Sequence, residues 1–361
     1  MKASGAYIPA IDGLRAISIL LVLFSHAGLG HIIPGNLGVL IFFVISGFLI
    51  TRLMIVEIES TGTLSLKAFY LRRIIRLMPA MLVYLAIFGT ITVYFFNAEI
   101  TATHILSAVL YFANYYQVYV NYPPYNPVPI LWSLAVEEHY YIVFPLLMLA
   151  FRHNPKRMIP WLFALVALVL LWRFYVFFKC ASVPDWPFCG LPNAIRFHAT
   201  TMIVDCILYG SILALLLHYI KAESFKILLH PAALIAAVGV LLITLIVRDP
   251  LFRETLRFSV QSLCVMLIII HVLYSSFSLP RKILCNGILT YIGKLSYSLY
   301  LFHFGVLIVQ EGLQEKGIIT AHSIPVTLVY LAASFACAAA SYHTIERPML
   351  ALRKRLGSKA K

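Results

Sequence analysis

Long apolar runs, separated by short polar segments, recur along the whole of this 361-residue sequence. A helix that crosses a bilayer needs about 20 mainly apolar residues. By that criterion the sequence predicts about ten spanning helices, near residues 11–28, 37–56, 79–97, 131–151, 159–178, 197–219, 230–247, 257–276, 288–310 and 323–345. The stretch 104–118 is shorter and more polar, which is typical of a re-entrant or interfacial helix. We therefore predict an all-α, polytopic membrane protein.

The composition indicates a membrane protein without a sizeable soluble domain. Hydrophobic residues make up 61% of the sequence and charged residues 12%, whereas about a quarter of the residues of a soluble domain are charged. We expect one membrane domain, residues 1–346, followed by a basic tail, residues 347–361. The first apolar run contains Asp12 and Arg15 and lacks a clear cleavage site, so we expect a retained helix rather than a signal peptide.

A formal net charge of +14 would suggest a nucleic-acid partner in a soluble protein. Here the basic residues fall between apolar runs, and the side that holds the N-terminus carries roughly three times as many as the other. This bias predicts that both termini are cytoplasmic and that the partner of the basic segments is the lipid bilayer, not nucleic acid.

The six cysteines form no CxxC pair and no Cys/His pattern with metal-ligand spacing, so we expect no metal. Only Cys180 and Cys189 share a predicted loop. If that loop is extracytoplasmic, the two are either a disulfide or a pair of free thiols.

Three polar side chains persist in the first predicted helix: Asp12, Arg15 and His26. Arg15 and His26 are eleven positions apart, roughly 20° after whole turns, so they share a face about 16 Å apart along the axis. Asp12 precedes Arg15 by three residues and can pair with it. Either the stripe is functional, because ionisable groups are costly in a membrane, or the arginine reaches the headgroups and the histidine lies at the interface.

The segment 69–79 (FYLRRIIRLMP) places Arg72, Arg73 and Arg76 on one side of a short helix, and Pro79 begins the next span. Guanidinium groups bind phosphate in a bidentate way, so the cluster is suited to a phosphorylated ligand. The same three residues would also serve as a topology anchor that contacts anionic lipid.

Two further segments carry polar groups into predicted spans. Residues 131–141 (LWSLAVEEHYY) contain the adjacent carboxylates Glu137 and Glu138, of which one would orient His26 or a substrate hydroxyl. The alternative is a pair of structural carboxylates bonded to neighbouring helices. In residues 288–310, Ser296, Tyr300 and His303 recur at helical spacing and form one polar stripe, although hydrogen bonds between membrane helices are common.

These segments, in this order, resemble the acyltransferase 3 family of integral membrane enzymes. The resemblance covers nearly the whole chain. The matching blocks are 12–16 (DGLRA) with the Arg15/His26 pair, 42–50 (FFVISGFLI), 69–76 (FYLRRIIR), 132–138 (WSLAVEE), Asp205 with Gly210, 293–300 (GKLSYSLY) with His303, and 345–348 (IERP).

The resemblance implies that an acyl group, usually acetyl, is transferred from cytoplasmic acyl-CoA to a hydroxyl of a saccharide or glycolipid, in the inner membrane of a bacterium. By analogy His26 is the essential histidine, and we add Glu137 and Glu138 as candidate catalytic carboxylates. The residues that we expect to bind the acyl-CoA donor are Asp12, Arg15, Arg72, Arg73, Arg76, Ser296, Tyr300 and His303.

Two positions depart from the family pattern: His139 stands where a neutral residue is expected, and no basic residue precedes Asp205. Because the sequence carries no C-terminal hydrolase-like domain, we expect the transfer to be completed within the membrane domain. The rival hypothesis is a proton-coupled secondary transporter of a small solute. It would also place Asp, Glu and His in spans, but it tends to show repeated halves, which we do not find.

Overall fold

The structure of the protein, a computed structural model, describes residues 7–184, 186, 189, 196–220, 222–275, 277, 279–320 and 323–355. Across these residues the backbone forms helices and their connections, and no strand occurs among them. This confirms the all-α, polytopic class that the apolar runs predict.

The helices of the first half surround the site described below. They are α1 (Pro9–Phe24), extended by a π-helical turn at Ser25–Leu29, α2 (Gly35–Thr61), α3 (Leu66–Phe96), α4 (Ala102–Val109), α5 (Ala113–Tyr119), α6 (Trp132–Ala150) and α7 (Met158–Ser182).

The helices of the second half complete the bundle. They are α8 (Thr200–Ile203), α9 (Asp205–Tyr219), α10 (Pro231–Ile246), α11 (Pro250–Glu254), α12 (Leu256–Tyr274), α13 (Leu279–Leu284), α14 (Gly287–Glu315), α15 (Ile324–Ser341), followed by a π-helical turn at Tyr342–Glu346, and α16 (Arg347–Arg355).

Seven helical segments in the described ranges are long and apolar enough to cross a membrane. An eighth is added if Glu223–Leu229 and α10, which meet at an angle of 62°, form one span. Helices α6 and α9 occupy the two remaining predicted positions: α9 has only 15 residues, and α6 carries Glu137 and Glu138. Each of the ten predicted spans therefore overlaps at least one helix, and seven or eight of them are long and apolar enough to cross a membrane.

Three boundaries differ from the prediction. The stretch 104–118 is not one helix but the pair α4 and α5, separated at Tyr111, whose φ of 56° lies in the left-handed region. The span 197–219 is divided at Val204 into α8 and α9. Pro79 does not begin a span but lies inside α3, and the arginine segment is the first part of that 31-residue helix.

The predicted basic tail begins as a helix. Residues Arg347–Arg355 form α16, which packs against α3, and Leu350 reaches the cavity described below. Residues 356–361 of the tail lie outside the described part of the chain, and the division into two domains stays a prediction.

Helices α2 and α9 cross with their backbones in contact, and two glycines make this possible. A Cβ atom on Gly47 would lie 1.9 Å from the backbone oxygen of Ile207, and one on Gly210 would lie 2.0 Å from that of Val44. Small residues at such crossings let membrane helices approach closely and gain packing contacts.

Helices α1 and α14 cross in the same way. A Cβ atom on Gly293 would lie 1.9 Å from the backbone oxygen of Asp12, and one on Gly13 would lie 2.1 Å from that of Leu284. The position of α1 is therefore fixed against α13 and α14 by direct backbone contact.

A buried ion pair joins α7 to α9. Arg173 donates from Nη1 and Nη2 to the two carboxylate oxygens of Asp205, at 3.2 and 2.7 Å. Both side chains are fully buried, and Ser259 of α12 donates a further bond of 3.1 Å to Asp205. Asp205 therefore has its basic partner on another helix, not in the preceding residues of its own.

At the end of α7, Cys180 and Cys189 form a disulfide bond. Of the two alternatives that the sequence leaves open, the structure has the bonded one. The other four cysteines, Cys206, Cys264, Cys285 and Cys337, are free thiols.

Candidate active site

A cavity of ≈ 660 Å³ lies between α1, α2, α3, α6 and α14. Its volume falls within the range of about 300–1,000 Å³ that is typical of small-molecule sites. The cavity begins beside Tyr7 and Lys294 and extends along α14 as far as Tyr300, where Ser133 of α6 also lines it. It is the place where most of the polar residues singled out in the sequence come together.

The charged groups of the cavity are mainly cationic. Five basic side chains line it, together with three carboxylates, so the lining is net positive; the basic set is Arg15, Arg52, Arg73, Arg76 and Lys294, and the acidic set Asp12, Glu137 and Glu346. Guanidinium and ammonium groups gathered in a cavity of low dielectric bind phosphate strongly. The lining therefore suits a polyanionic ligand.

Asp12 organises the mouth of this cavity. Its carboxylate accepts a hydrogen bond of 2.7 Å from the Tyr7 hydroxyl and pairs with Arg15 at 3.5 Å, as the spacing in the sequence suggests. Partial desolvation and the bond to Asp12 raise the pKa of Tyr7 to about 12, so that its phenol stays a donor. The ammonium group of Lys294 lies 5.7 Å from the Tyr7 ring centroid.

The three clustered arginines do not share one environment. Arg73 and Arg76 line the cavity, and the guanidinium of Arg73 lies 4.9 Å from the ring centroid of Tyr141. Arg72 instead forms an ion pair of 2.9 Å with Glu57 of α2 and does not line the cavity. Of the three arginines predicted to contact the donor, Arg73 and Arg76 therefore line the cavity and Arg72 lies outside it.

The adjacent carboxylates also separate. Glu137 lines the cavity, accepts a hydrogen bond from Tyr141 at 3.3 Å, and belongs to a group with Ser46, whose hydroxyl lies 2.5 Å from that of Tyr141. Glu138 does not line the cavity and forms no side-chain hydrogen bond within the described residues.

His139, the departure from the family pattern, attaches α6 to its neighbours. Its Nδ1 lies 2.6 Å from the hydroxyl of Thr200, and its ring also bonds to the backbone of Tyr111. Asn114 of α5 donates to the same Thr200 hydroxyl at 2.9 Å. His139 therefore holds the turn between α4 and α5 against α6 and α8, away from the cavity.

At the inner end of the cavity, Ser133 donates a hydrogen bond of 2.6 Å to the Tyr300 hydroxyl, which in turn donates to the backbone oxygen of Ile130 at 3.0 Å. Ser296, one turn earlier on α14, is buried, and its hydroxyl has no hydrogen-bond partner among the described residues. A ligand in the cavity would supply one.

His303 follows Tyr300 by one turn, with 5.9 Å between the two ring centroids. It is fully buried, and its Nε2 lies 3.2 Å from Nδ1 of His26. The two histidines are 277 positions apart in the sequence. Neither lines the cavity, so the pair lies beyond its inner end, behind Tyr300.

The backbone fixes the tautomers of this pair. His303 Nδ1 lies 2.8 Å from the carbonyl oxygen of Leu299, which can only accept, so Nδ1 carries the proton. In the neutral pair His303 Nε2 then accepts from His26 Nδ1–H. The Nε2 atom of His26 is left without a proton, which is the form that a general base requires.

The local backbone carries His26 out of the regular helix. The α-helix ends at Phe24, the π-helical turn Ser25–Leu29 follows, and Gly28 adopts a φ of 91° that favours glycine. Such π-helical turns recur at functional sites because they re-aim a side chain. His26 is half-buried there, whereas His303 has no exposed surface.

Six lining residues were given no role from the sequence: Tyr7, Ser46, Arg52, Ser133, Lys294 and Glu346. Ser133 and Glu346 do lie in two of the matching blocks, 132–138 and 345–348. Arg52 and Lys294 gave a usable signal, because both are charged residues within or at the end of a predicted span. Tyr7 and Ser46 gave none.

Residues 8–343 match the profile of a family described as an acyltransferase domain. The peptidoglycan O-acetyltransferase OatA of Listeria monocytogenes is 30% identical over an alignment of 368 residues, which covers 96% of this chain and 56% of that protein. The O-acetyltransferase OatA of Staphylococcus aureus is 31% identical, with 96% and 58% covered.

The chain therefore spans somewhat over half the length of these curated relatives. No solved structure is significantly similar to it.

Proposed function

Because the chain belongs to the acyltransferase 3 family, we propose that it is a membrane-embedded O-acyltransferase that moves an acyl group, acetyl in the first instance, from acyl-CoA to a saccharide hydroxyl. The observation that carries this proposal is the His26–His303 pair beyond the inner end of a basic cavity. A cavity for a polyanionic donor and a base for a hydroxyl are the two parts that the reaction needs.

The donor occupies the cavity in this proposal. Arg15, Arg73 and Arg76 interact with phosphate or carbonyl oxygens of acyl-CoA, and Asp12 orients Arg15. The hydroxyl of Ser296 is a donor for the thioester carbonyl or the pantetheine amides, since it has no partner among the described residues. Arg72 is assigned to the Glu57 ion pair.

His26 acts as the general base. Its Nε2 takes the proton of the acceptor hydroxyl while the hydroxyl oxygen attacks the thioester carbonyl carbon. The C–S bond breaks, the ester forms, and the imidazolium returns its proton to the departing thiolate to give CoA. His303 is a positioning residue, because it holds His26 Nδ1–H by a hydrogen bond and touches neither substrate.

The acceptor reaches His26 from the opposite side of the membrane. The positive-inside bias predicts that both termini and the cavity mouth face the cytoplasm and that His26 lies toward the outer face. The relatives include an enzyme whose name specifies peptidoglycan, which supports a cell-surface or lipid-linked saccharide as acceptor and the inner membrane of a bacterium as location.

The test is transfer by purified protein in nanodiscs, with acetyl-CoA and cell-envelope saccharides, followed by mass spectrometry of the ester products. His26→Ala should retain CoA binding and lose about 10²–10⁴-fold in transfer rate, as expected when a positioned base is removed. The change should not disturb the fold, because a helix accepts alanine readily.

Near-normal transfer by His26→Ala that still binds donor would remove His26 from the mechanism and leave Glu137 and Glu138 as candidates. Rapid-quench trapping of an acyl-histidine would replace the base role with a nucleophile role. Solute uptake into liposomes without consumption of acetyl-CoA would instead support the proton-coupled transporter.

A further inference from the structure

A second cavity, of ≈ 400 Å³, adjoins the first beside the beginning of α1. Tyr7, Ile8 and Arg52 line both cavities, so the two spaces meet at the side chains of these three residues. The second cavity also reaches the end of α12 at Tyr274 and the side chains of Arg281 and Cys285 near α13.

The chemistry of the second cavity differs from that of the first. Two arginines, Arg52 and Arg281, line it, and no carboxylate is among its described lining residues. The remaining surface is apolar and aromatic, with Phe48 and Tyr274 as its largest groups besides Tyr7. This combination suits a flat ring that carries a compact anion.

Arg281 is held in place by its own hydrogen bonds. Its Nε donates to the backbone oxygen of Val272 at 3.1 Å, and its Nη2 donates to that of Leu273. These bonds fix the guanidinium at the end of α12, beside the cavity. A fixed guanidinium loses little conformational entropy when it binds an anion.

We propose that the second cavity binds the adenosine end of acyl-CoA, and that Arg52 and Arg281 contact its 3′-phosphate. The first cavity then holds the diphosphate beside its basic side chains, the pantetheine arm and the acyl group. This inference rests on the proposed function and adds the residues that distinguish CoA from donors without the 3′-phosphate.

The distances along α14 agree with this distribution of acyl-CoA between the two cavities. Lys294, at the mouth of the first cavity, and His303 are nine residues apart on one helix, which is roughly 14 Å along its axis. If the nucleotide occupies the second cavity, the extended pantetheine arm therefore runs from the mouth of the first cavity toward the histidine pair.

The experiment compares CoA with 3′-dephospho-CoA as ligands of the purified full-length protein. In the unaltered protein CoA should bind roughly 10- to 100-fold more tightly, because charged hydrogen bonds to the 3′-phosphate are lost in dephospho-CoA. In Arg52→Gln and Arg281→Gln this ratio should fall toward one. In Arg281→Gln the affinity for dephospho-CoA should change little, because Arg281 lines only the second cavity.

Arg157→Gln is the matched control, since Arg157 is exposed and lies outside both cavities. It should keep the ratio of the unaltered protein. An unchanged ratio in both cavity variants would overturn the proposal.

Cys285 provides a second measurement that needs no substitution. It is the exposed one of the free cysteines and lines the second cavity. Saturating CoA should slow its alkylation, measured by peptide mass spectrometry, whereas pantetheine should not. Equal alkylation rates with CoA and with pantetheine would contradict the proposal, even if Arg281→Gln folds poorly.

Two outcomes distinguish failure of the nucleotide-site proposal from failure of the proposed acyl transfer. Protection of Cys285 by anionic nanodisc lipid, with none from CoA in zwitterionic nanodiscs, would identify a lipid-headgroup site and overturn the inference while leaving the proposed transfer intact. Absence of any CoA binding would overturn the proposed function and this inference together.

Discussion

At the scale of single residues, the His26–His303 pair depends on one backbone carbonyl. The oxygen of Leu299 accepts from His303, and this sets the direction of the hydrogen bond between the two rings. The ring of His26 also bonds to the backbone of Val22. The bond from His26 Nδ1–H to His303 Nε2 favours the tautomer that has a free Nε2. The second histidine therefore contributes orientation and tautomer selection.

We expect His303→Gln and His303→Leu to differ. The Gln carbonyl can still accept from His26 Nδ1–H, whereas Leu offers no acceptor at this position. For Leu we expect kcat to fall roughly 10- to 100-fold, as for other residues that orient a functional histidine, with KM for acetyl-CoA unchanged. Gln should recover part of kcat. Equal kcat values for the two variants would show that the hydrogen bond has no role.

The arginine cluster is expected to separate into two kinds of residue. Arg73→Gln and Arg76→Gln should each weaken donor binding about tenfold, because each removes a charged contact inside the cavity. Donor binding should also weaken as salt rises. Titration of purified variants with CoA measures both effects.

Arg72→Gln is the comparison within the same cluster. Its ion pair with Glu57 is partly exposed and should contribute at most about 1 kcal/mol to stability. If Arg72→Gln weakens CoA binding as much as Arg73→Gln, the division of the cluster is wrong.

Asp205 is expected to act on stability and not on chemistry. Asp205→Ala leaves Arg173 as an unpaired charge in a fully buried place, which typically costs about 3–5 kcal/mol. Thermal unfolding in detergent should show this loss, and the transfer rate per folded molecule should stay near normal. A variant of normal stability with no activity would assign Asp205 to the mechanism.

At the scale of helices, four glycines allow the helices around the site to cross in close contact. Gly47 and Gly210 bring α2 against α9, and Gly13 and Gly293 bring α1 against α13 and α14. The second crossing places α1 next to the helix that carries His303. In the sequence these glycines look like interruptions of helical segments, yet each marks a backbone contact.

A single kind of substitution tests these crossings. Gly47→Ala and Gly293→Ala each place a Cβ atom 1.9 Å from a backbone oxygen, so the helices must separate. We expect a loss of about 1–3 kcal/mol, as for other overpacked sites. Thermal unfolding of the purified variants measures it.

Gly239→Ala is the control for this series. Gly239 lies inside α10, where an added Cβ meets nothing within 4 Å, so the same change should be neutral or slightly stabilising by helix propensity. Similar stabilities for all three variants would mean that the close crossings do not limit the packing.

At the scale of the whole molecule, the arrangement of charge is expected to orient the protein. With both termini in the cytoplasm, the disulfide Cys180–Cys189 lies on the outer side, where oxidising conditions favour it. Membrane-impermeant labelling of cysteines introduced at Asn121 and Asp249 should find both sites outside. Labelling of either site only after the membrane is permeabilised would overturn the orientation.

The apolar runs predicted the fold class and the approximate position of the long apolar helices in the described ranges, because the bilayer sets the length of an apolar helix regardless of its neighbours. Polar residues within those runs also indicated a candidate site, since each is costly in a membrane. Arg15 and Asp12 pair as their spacing suggests, because i,i+3 neighbours on a helix are in reach of each other.

Only the tertiary structure decided which of these residues act together. The partners of Arg72, of Asp205 and of His26 lie on other helices. A helical sequence fixes the face on which a side chain lies but not the helix that packs against that face. Those contacts are set by how helices cross, and here the crossings depend on backbone approach at glycines. For the same reason the division of the arginine cluster, and the breaks at Tyr111 and Val204, were not predictable from apolar periodicity.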